Sequence, residues 1–379
     1  MSPDRAMTDR RIRVGMVGGG PGAFIGKIHR YAMELDREFE LVAGAFSRDP
    51  AASAAGAAAY RLPPDRAYAS LDAMIAAERE RSDGIQMLVV ATPNHHHATA
   101  VCTGLAAGLA VMCDKPLTGT LAEARSLEVA VRGARAPLAV SYTYSGYPLV
   151  REAKTRIAAG AIGTVRKVVV EYPQGWLADD TGGKQAAWRL DPTTAGHGGC
   201  IADIGVHAFH LAEFVSGLRV VRLLADLAAV VPGRTLDDDC QLLLRFDNGA
   251  RGALLASQIC VGERNGLRLR IYGDRGGLDW AQESPNRLWL HHADGRTELI
   301  QAGDAGLSAA AQQATRTPGG HPEGYLEAFG NLYRDFARRI RGEAAPMLPG
   351  IDDAMRGMAL IDIAVRASRD ESGWVEFEE

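Results

Sequence analysis

Five short apolar runs separated by helix-type stretches fill the first third of the chain, and this alternation constrains the fold more than any other feature. The runs lie at 13–17, 41–46, 87–91, 109–113 and 138–140, with helix-type stretches at 26–35, 50–59, 71–80, 96–107 and 121–132. Strands that are apolar throughout need cover on both faces, and intervening helices supply it. The pattern predicts an α/β fold built on a doubly wound, mainly parallel sheet.

The pattern changes after about residue 145. A helix at 148–159 and a β-branched strand at 165–172 lead to a loop carrying Trp176, Trp188 and Arg189, then to an apolar helix ending near Val215. From 220 to 300, short alternating segments are broken by turn pairs such as Asn248-Gly249 and Asp294-Gly295, which mark hairpins. The stretch 303–320 reads as loop, and helices are expected at 323–341 and 351–368. A chain of 379 residues exceeds one ordinary core. We expect a parallel-sheet domain at 11–145 and an α+β domain with an open, mostly antiparallel sheet at 146–379.

Composition narrows the partners. The hydrophobic and charged fractions, 47% and 23%, are those of a soluble globular protein. A net charge of −4 gives no reason to expect nucleic acid or an anionic membrane surface. No run is long enough to span a bilayer, and the first ten residues lack the apolar core of a secretory signal. The five cysteines, at 102, 113, 200, 240 and 260, are scattered and suit reduced thiols in a cytoplasmic protein.

The first strand runs into Gly18-Gly19-Gly20-Pro21-Gly22-Ala23-Phe24-Ile25-Gly26. Glycines between a strand and a helix let backbone N–H groups approach a pyrophosphate at the helix N-terminus. Gly18 and Gly20 keep the expected spacing, but Ala23 stands where the third glycine of the fingerprint falls. Gly26 takes that part if the loop carries a three-residue insertion. Dinucleotide binding is the expectation. After the second run, Ser47-Arg48-Asp49 occupies the ribose-reading position, where an acid suits NAD and an arginine suits a 2′-phosphate. Either NAD or NADP fits, with Ser47-Arg48 tilting the choice toward NADP.

Two further stretches carry chemistry. Thr92-Pro93-Asn94-His95-His96-His97 follows the third run. Adjacent histidines do not easily converge on one ion and no cysteine or carboxylate matches their spacing, so no metal site is expected. A loop beneath the nicotinamide, with Asn94 capping the next helix, is the better reading. Asp114-Lys115-Pro116 follows the fourth run, where open α/β sheets place their ligands. Gly198-Gly199-Cys200-Ile201-Ala202-Asp203-Ile204-Gly205-Val206-His207 sets Asp203 and His207 four apart, one turn apart on a helix face. A histidine beside a carboxylate suits a general base for alcohol oxidation; this stretch by itself more readily suits an aspartate helping the helix dipole and a histidine packed in the core.

Taken together, the glycine turn, Thr-Pro-Asn, Asp114-Lys115-Pro116 and Gly-Gly-x-x-x-Asp-x-Gly-x-His resemble the glucose–fructose oxidoreductase/inositol dehydrogenase/rhizopine-catabolism (Gfo/Idh/MocA) family over roughly residues 11–368. The resemblance implies an N-terminal Rossmann domain and a C-terminal domain whose open sheet forms a homodimer or homotetramer interface. It also implies NAD(P)-dependent oxidation or reduction of a sugar, polyol or related carbonyl compound. Lys115 matches the family's Glu-Lys-Pro lysine, and Asp203 and His207 match its acidic and histidine positions. Asp114 replaces the usual glutamate, and Tyr142-Thr143-Tyr144-Ser145-Gly146-Tyr147 stands where many relatives carry a basic residue near the active site.

The expected catalytic set is Lys115, Asp203 and His207. Gly18, Gly20, Gly26, Ser47, Arg48, Thr92, Pro93, Asn94, Asp114 and Lys115 are expected at the cofactor. Tyr144, Trp188, Arg189, His321 and Tyr325 are candidates at the substrate, each equally explicable by packing or capping. Two other functions stay open: a redox-neutral NAD-dependent glycosidase of the same fold, and a cofactor-sensing binding protein without turnover.

Overall fold

A computed structural model describes residues 11–20, 22–179 and 189–378. Trp188 lies outside them. The chain folds as two compact units. The first reaches to Thr118 and takes in Ala122–Ser141 and Phe329–Ile351; the second comprises Gly119–Leu121, Tyr142–Ala328 and Asp352–Glu379.

In the first unit, strands and helices alternate as the apolar runs predict: β1 (Ile12–Gly18), α1 (Phe24–Leu35), β2 (Phe39–Ala45), α2 (Pro50–Ala59), α3 (Leu71–Arg79), β3 (Met87–Ala91), α4 (His97–Ala106), β4 (Ala110–Cys113), α5 (Leu121–Gly133) and β5 (Leu138–Val140). The strands form one sheet in the order β2-β1-β3-β4-β5, parallel throughout. Val14, Met16, Leu88, Val89, Val90, Val111 and Met112 are buried in it. The chain leaves β1 first toward β2 and later toward β3, so the strand order reverses there. The carboxyl ends of β1 and β3 flank that switch point, the ligand position of open α/β sheets.

Local signals set the helix starts. Asp49 caps α2, its carboxylate accepting from Ala51 N–H, with Pro50 at the first turn; Ser70 does the same for α3. Asn94 does not cap α4. Asn94–His96 first tighten into a 3₁₀ turn, which moves the cap position to His96, whose side chain makes no cap bond.

The second unit contains α6 (Pro148–Ala158), β6 (Val165–Pro173), the short α7 (Pro192–Ala195), a π turn at Ile201–Gly205, α8 (Val206–Ser216), β7 (Val220–Ala228), β8 (Asp239–Phe246), β9 (Arg251–Ser257), β10 (Arg268–Gly273), β11 (Gly276–Ala281), β12 (Arg287–His292), β13 (Thr297–Gln301) and α9 (Ala309–Ala314). Then follow α10 (Tyr325–Ile340), α11 (Ile351–Arg369) and β14 (Val375–Glu376). From Phe329 onward α10 belongs to the first unit.

The nine strands order as β13-β12-β11-β10-β6-β9-β8-β7-β14. All neighbours are antiparallel except the central pair β6–β9. β8 shows the period-two pattern of a half-buried strand: Cys240, Leu242, Leu244 and Phe246 face inward and Leu243 outward. α8 is buried nearly all round, and packs on β6, β9 and β10. Glu213 of α8 receives Arg356 of α11 in a bidentate pair at 2.6 Å on each oxygen, which fixes one helix against the other.

The expectation of a loop over 303–320 is corrected by α9, whose N-cap Ser308 accepts from Ala311 N–H. The alanine-rich segment had the helix propensity and the cap for it.

Candidate active site

In the glycine turn of the first unit, Gly18, Gly19 and Gly26 leave no room for a side chain. Gly18 and Gly19 have φ of +76° and +66°, a region that favours glycine. A Cβ on Gly26 would sit 1.9 Å from the Gly19 carbonyl oxygen. Gly26 of α1 therefore supplies the close helix–turn approach made by the third fingerprint glycine. A Cβ on Gly20 would come 3.0 Å from Phe46 Cβ. The turn is a cradle of glycine backbone that fits a dinucleotide's phosphates. Beyond β2, Asp49 is occupied as a helix cap and Ser47 Oγ accepts from Asp49 N–H at 3.1 Å, while Arg48 is exposed.

Beneath the carboxyl ends of β3 and β4, His97 acts as an internal brace. Its ring nitrogens lie 2.9 Å from the Pro116 carbonyl oxygen and 2.8 Å from that of Thr92. Burial pulls its pKa down, against the opposing pull of Asp114 and the two carbonyls. His97 thus ties the Thr92-Pro93-Asn94 loop to the loop bearing Lys115, a service the sequence reading did not foresee. Asp114 Oδ1 accepts from Lys115 N–H at 3.0 Å and from Ser141 Oγ at 2.5 Å. Lys115 is half-buried and precedes a cis proline. Among the described residues no group of three or more His, Cys, Asp or Glu is placed to hold a metal ion.

The second unit gathers a polar cluster around His207. The run 198–207 is not one regular α-helix: Asp203 sits in the π turn and His207 in the first turn of α8. Such wide turns recur at functional sites. Asp203 Oδ2 accepts from Arg189 Nε at 3.0 Å and Gln258 Nε2 at 2.9 Å, and the Arg189 guanidinium lies over the Trp176 ring. The Tyr144 ring meets that of His207 edge-on at 4.9 Å and that of Tyr325 at 6.3 Å.

A chain of neutral groups extends from Tyr144. Its hydroxyl bonds to that of Tyr172, Tyr172 donates to Asn265 Oδ1 at 2.7 Å, and Gln174 donates to the same oxygen at 2.8 Å. Trp176 Nε1 donates to Gln174. Burial pushes both phenols up, so each remains a protonated donor near neutral pH.

Of the sequence candidates, Tyr144, Arg189, Asp203, His207 and Tyr325 lie in this cluster. His321 is set apart: it is exposed, with its ring 3.2 Å from the Pro318 carbonyl in its own turn. Tyr172, Gln174, Gln258 and Asn265 escaped the sequence reading, since single polar residues at strand ends and in loops carry no spacing signal.

Comparison with known proteins agrees with both units. Residues 12–142 match the model of the oxidoreductase family with an NAD-binding Rossmann fold, and 150–279 match the GFO/IDH/MocA C-terminal domain. The chain is 30% identical to the uncharacterized oxidoreductase YfiI of Bacillus subtilis, covering 97% of each chain. It is 27% identical to levoglucosan dehydrogenase of Pseudarthrobacter phenanthrenivorans, covering 97% of this chain and 98% of that one. The crystal structure of an inositol dehydrogenase homolog from Azotobacter vinelandii, complexed with NADH and myo-inositol, superposes with a TM-score of 0.91 at 32% identity, covering 98% of both. The chain belongs to the GFO/IDH/MocA family of NAD-binding oxidoreductases.

Proposed function

We propose that this chain is a nicotinamide-dependent dehydrogenase or reductase acting on a secondary alcohol or ketone of a sugar, polyol or glycoside. The carrying observation is the neutral donor–acceptor network beside His207, next to an Arg189 already paired with Asp203. Such a lining matches a polyhydroxylated, uncharged ring. The names of two similar proteins, levoglucosan dehydrogenase and an inositol dehydrogenase homolog with bound myo-inositol, support the same class.

When bound, the dinucleotide supplies the hydride acceptor or donor. Gly18, Gly20 and Gly26 shape its phosphate cradle, and Thr92, Pro93, Asn94 and Asp114 build the loops that His97 braces. Ser47 and Arg48 serve the adenosine ribose and favour NADP. His207 takes the hydroxyl proton during oxidation. Lys115 donates a hydrogen bond to the same oxygen and stabilises its developing alkoxide character. Asp203 orients the histidine.

The test is a screen of inositols, aldoses, anhydrosugars and glycosides with NAD and NADP, after mass-spectrometric identification of any cofactor carried through purification. Turnover of at least one uncharged polyol or sugar is expected; its absence across the panel sinks the reading. Near-normal turnover of His207→Ala with an unchanged pH profile would move proton transfer to Lys115.

A further inference from the structure

The paired glycines at 198 and 199 answer to a residue far along the chain. Asp237, on the loop before β8, receives three successive backbone N–H groups at the start of the π turn. Gly199 N–H donates to Oδ1 at 2.6 Å, Ile201 N–H to Oδ2 at 2.7 Å, and Cys200 N–H to the Asp237 carbonyl at 2.7 Å. These are among the donors that a helix start leaves without intrahelical partners. Gly199 has to be glycine for this approach, because a Cβ there would lie 2.2 Å from the Asp237 carbonyl oxygen.

The adjacent acid grips the opposite side of the loop. The Asp238 carboxylate accepts from Val230 N–H at 2.8 Å, Val231 N–H at 3.0 Å and Arg234 Nη1 at 3.1 Å. Arg234 in turn donates to the carbonyls of Leu177 and Asp179. That segment carries Gln174 and Trp176, so one short loop supports both the helix start and the neutral network.

We infer that Asp237 is a positioning residue: by clamping three consecutive amides it fixes the rotation of the π turn, and so the direction in which the Asp203 and His207 side chains leave it. The inference rests on the roles proposed above for those two side chains. A π turn has a wider, less common hydrogen-bond pattern than an α-helix, and it needs external donors and acceptors to hold one register. Asp237 supplies the acceptors in a single carboxylate and its own carbonyl.

Two measurements test it. In the wild-type protein, amides 199–201 should exchange with deuterium at least a hundredfold slower than exposed loop amides; loop-like exchange overturns the clamp, whatever any variant does. Asp237→Asn keeps the shape but turns one acceptor into a donor facing an N–H. It should lower kcat per bound cofactor at least tenfold, with the cofactor dissociation constant within twofold of wild type. A merely structural loss would reduce the fraction able to bind cofactor and leave kcat per binding site unchanged; that result, or kcat within twofold, overturns the inference. Should Asp237→Asn not fold, Gly199→Ala takes its place with the same expected and overturning results. Slow amides in a protein without turnover on the polyol panel would sink the functional reading and leave the clamp standing.

Discussion

Arg189 donates through Nε to Asp203 at 3.0 Å while its guanidinium rests on the face of Trp176. The contact matches Asp203 with a cation of its own unit. Arg189→Met should lower kcat/KM for the sugar or polyol ten- to hundredfold while the thermal midpoint moves by a few degrees at most. Arg189→Lys should rescue little, since an ammonium reproduces neither the planar fork nor the stacking. Steady-state kinetics on the three proteins decide; a fully active lysine variant would reduce the pair to simple charge balance.

The Gly26–Gly19 approach predicts an asymmetry within one loop. Gly26→Ala places a Cβ 1.9 Å from a backbone oxygen and should cost about 3 kcal/mol, with cofactor affinity falling more than tenfold. Gly22→Ala meets open space but must hold φ at +89°, for about 1 kcal/mol. Thermal melts and cofactor titrations of the two variants give the contrast.

His29 makes folding stability depend on pH. It is buried, its Nδ1 is 2.6 Å from the Tyr333 hydroxyl, and the Phe329 ring lies edge-on to it. Burial pulls its pKa to about 4; Asp114 opposes this and His97 adds to it. The unfolded chain, with an ordinary pKa near 6.5, binds the proton more readily between those values. The stabilisation is complete above about pH 6.5 and is lost as pH falls toward 4. At about 1.36 kcal/mol for each pH unit, the whole effect is roughly 3 kcal/mol, of which about 2 kcal/mol is gone by pH 5. His29→Gln should flatten this part of the stability profile in denaturant melts from pH 4.5 to 7.

The ribose role proposed for Arg48 makes the cofactor choice testable at one residue. With Asp49 committed to capping α2, Arg48→Ala should lower the ratio of kcat/KM with NADP to that with NAD at least tenfold, leaving the NAD value within about threefold. An unchanged ratio would remove Arg48 from the ribose site.

Much of this architecture was legible because the parallel sheet is built from apolar runs that end at glycine, proline or capping residues. Met87–Ala91 and Leu138–Val140 fall where the sequence put them. The polar cluster was half legible. Asp203 and His207 announce themselves by spacing, whereas Asn265 and Gln258 reach the same neighbourhood only because β6 pairs with β9 and β10. Those pairings link residues 84 to 108 positions apart, and no local pattern encodes them. The same holds for Asp237, whose partners precede it by more than thirty residues. The sequence shows His97 only as the last of three adjacent histidines in a loop beneath the nicotinamide; its inward turn follows from the 3₁₀ segment that rotates the start of α4.

The return of residues 329–351 to the first unit sets an order on synthesis. Tyr333 packs edge-on against Phe39 at 5.5 Å and bonds to His29, so the parallel sheet emerges from the ribosome long before the aromatic side chains that seal it. At about 5–20 residues per second, the interval between β5 and Phe336 is roughly 10–40 s. During that time the nascent nucleotide unit presents an unfinished apolar surface while the nine-stranded sheet is still being made. Truncation before Phe329 would therefore damage the beginning of the molecule, although the cut is made near its end.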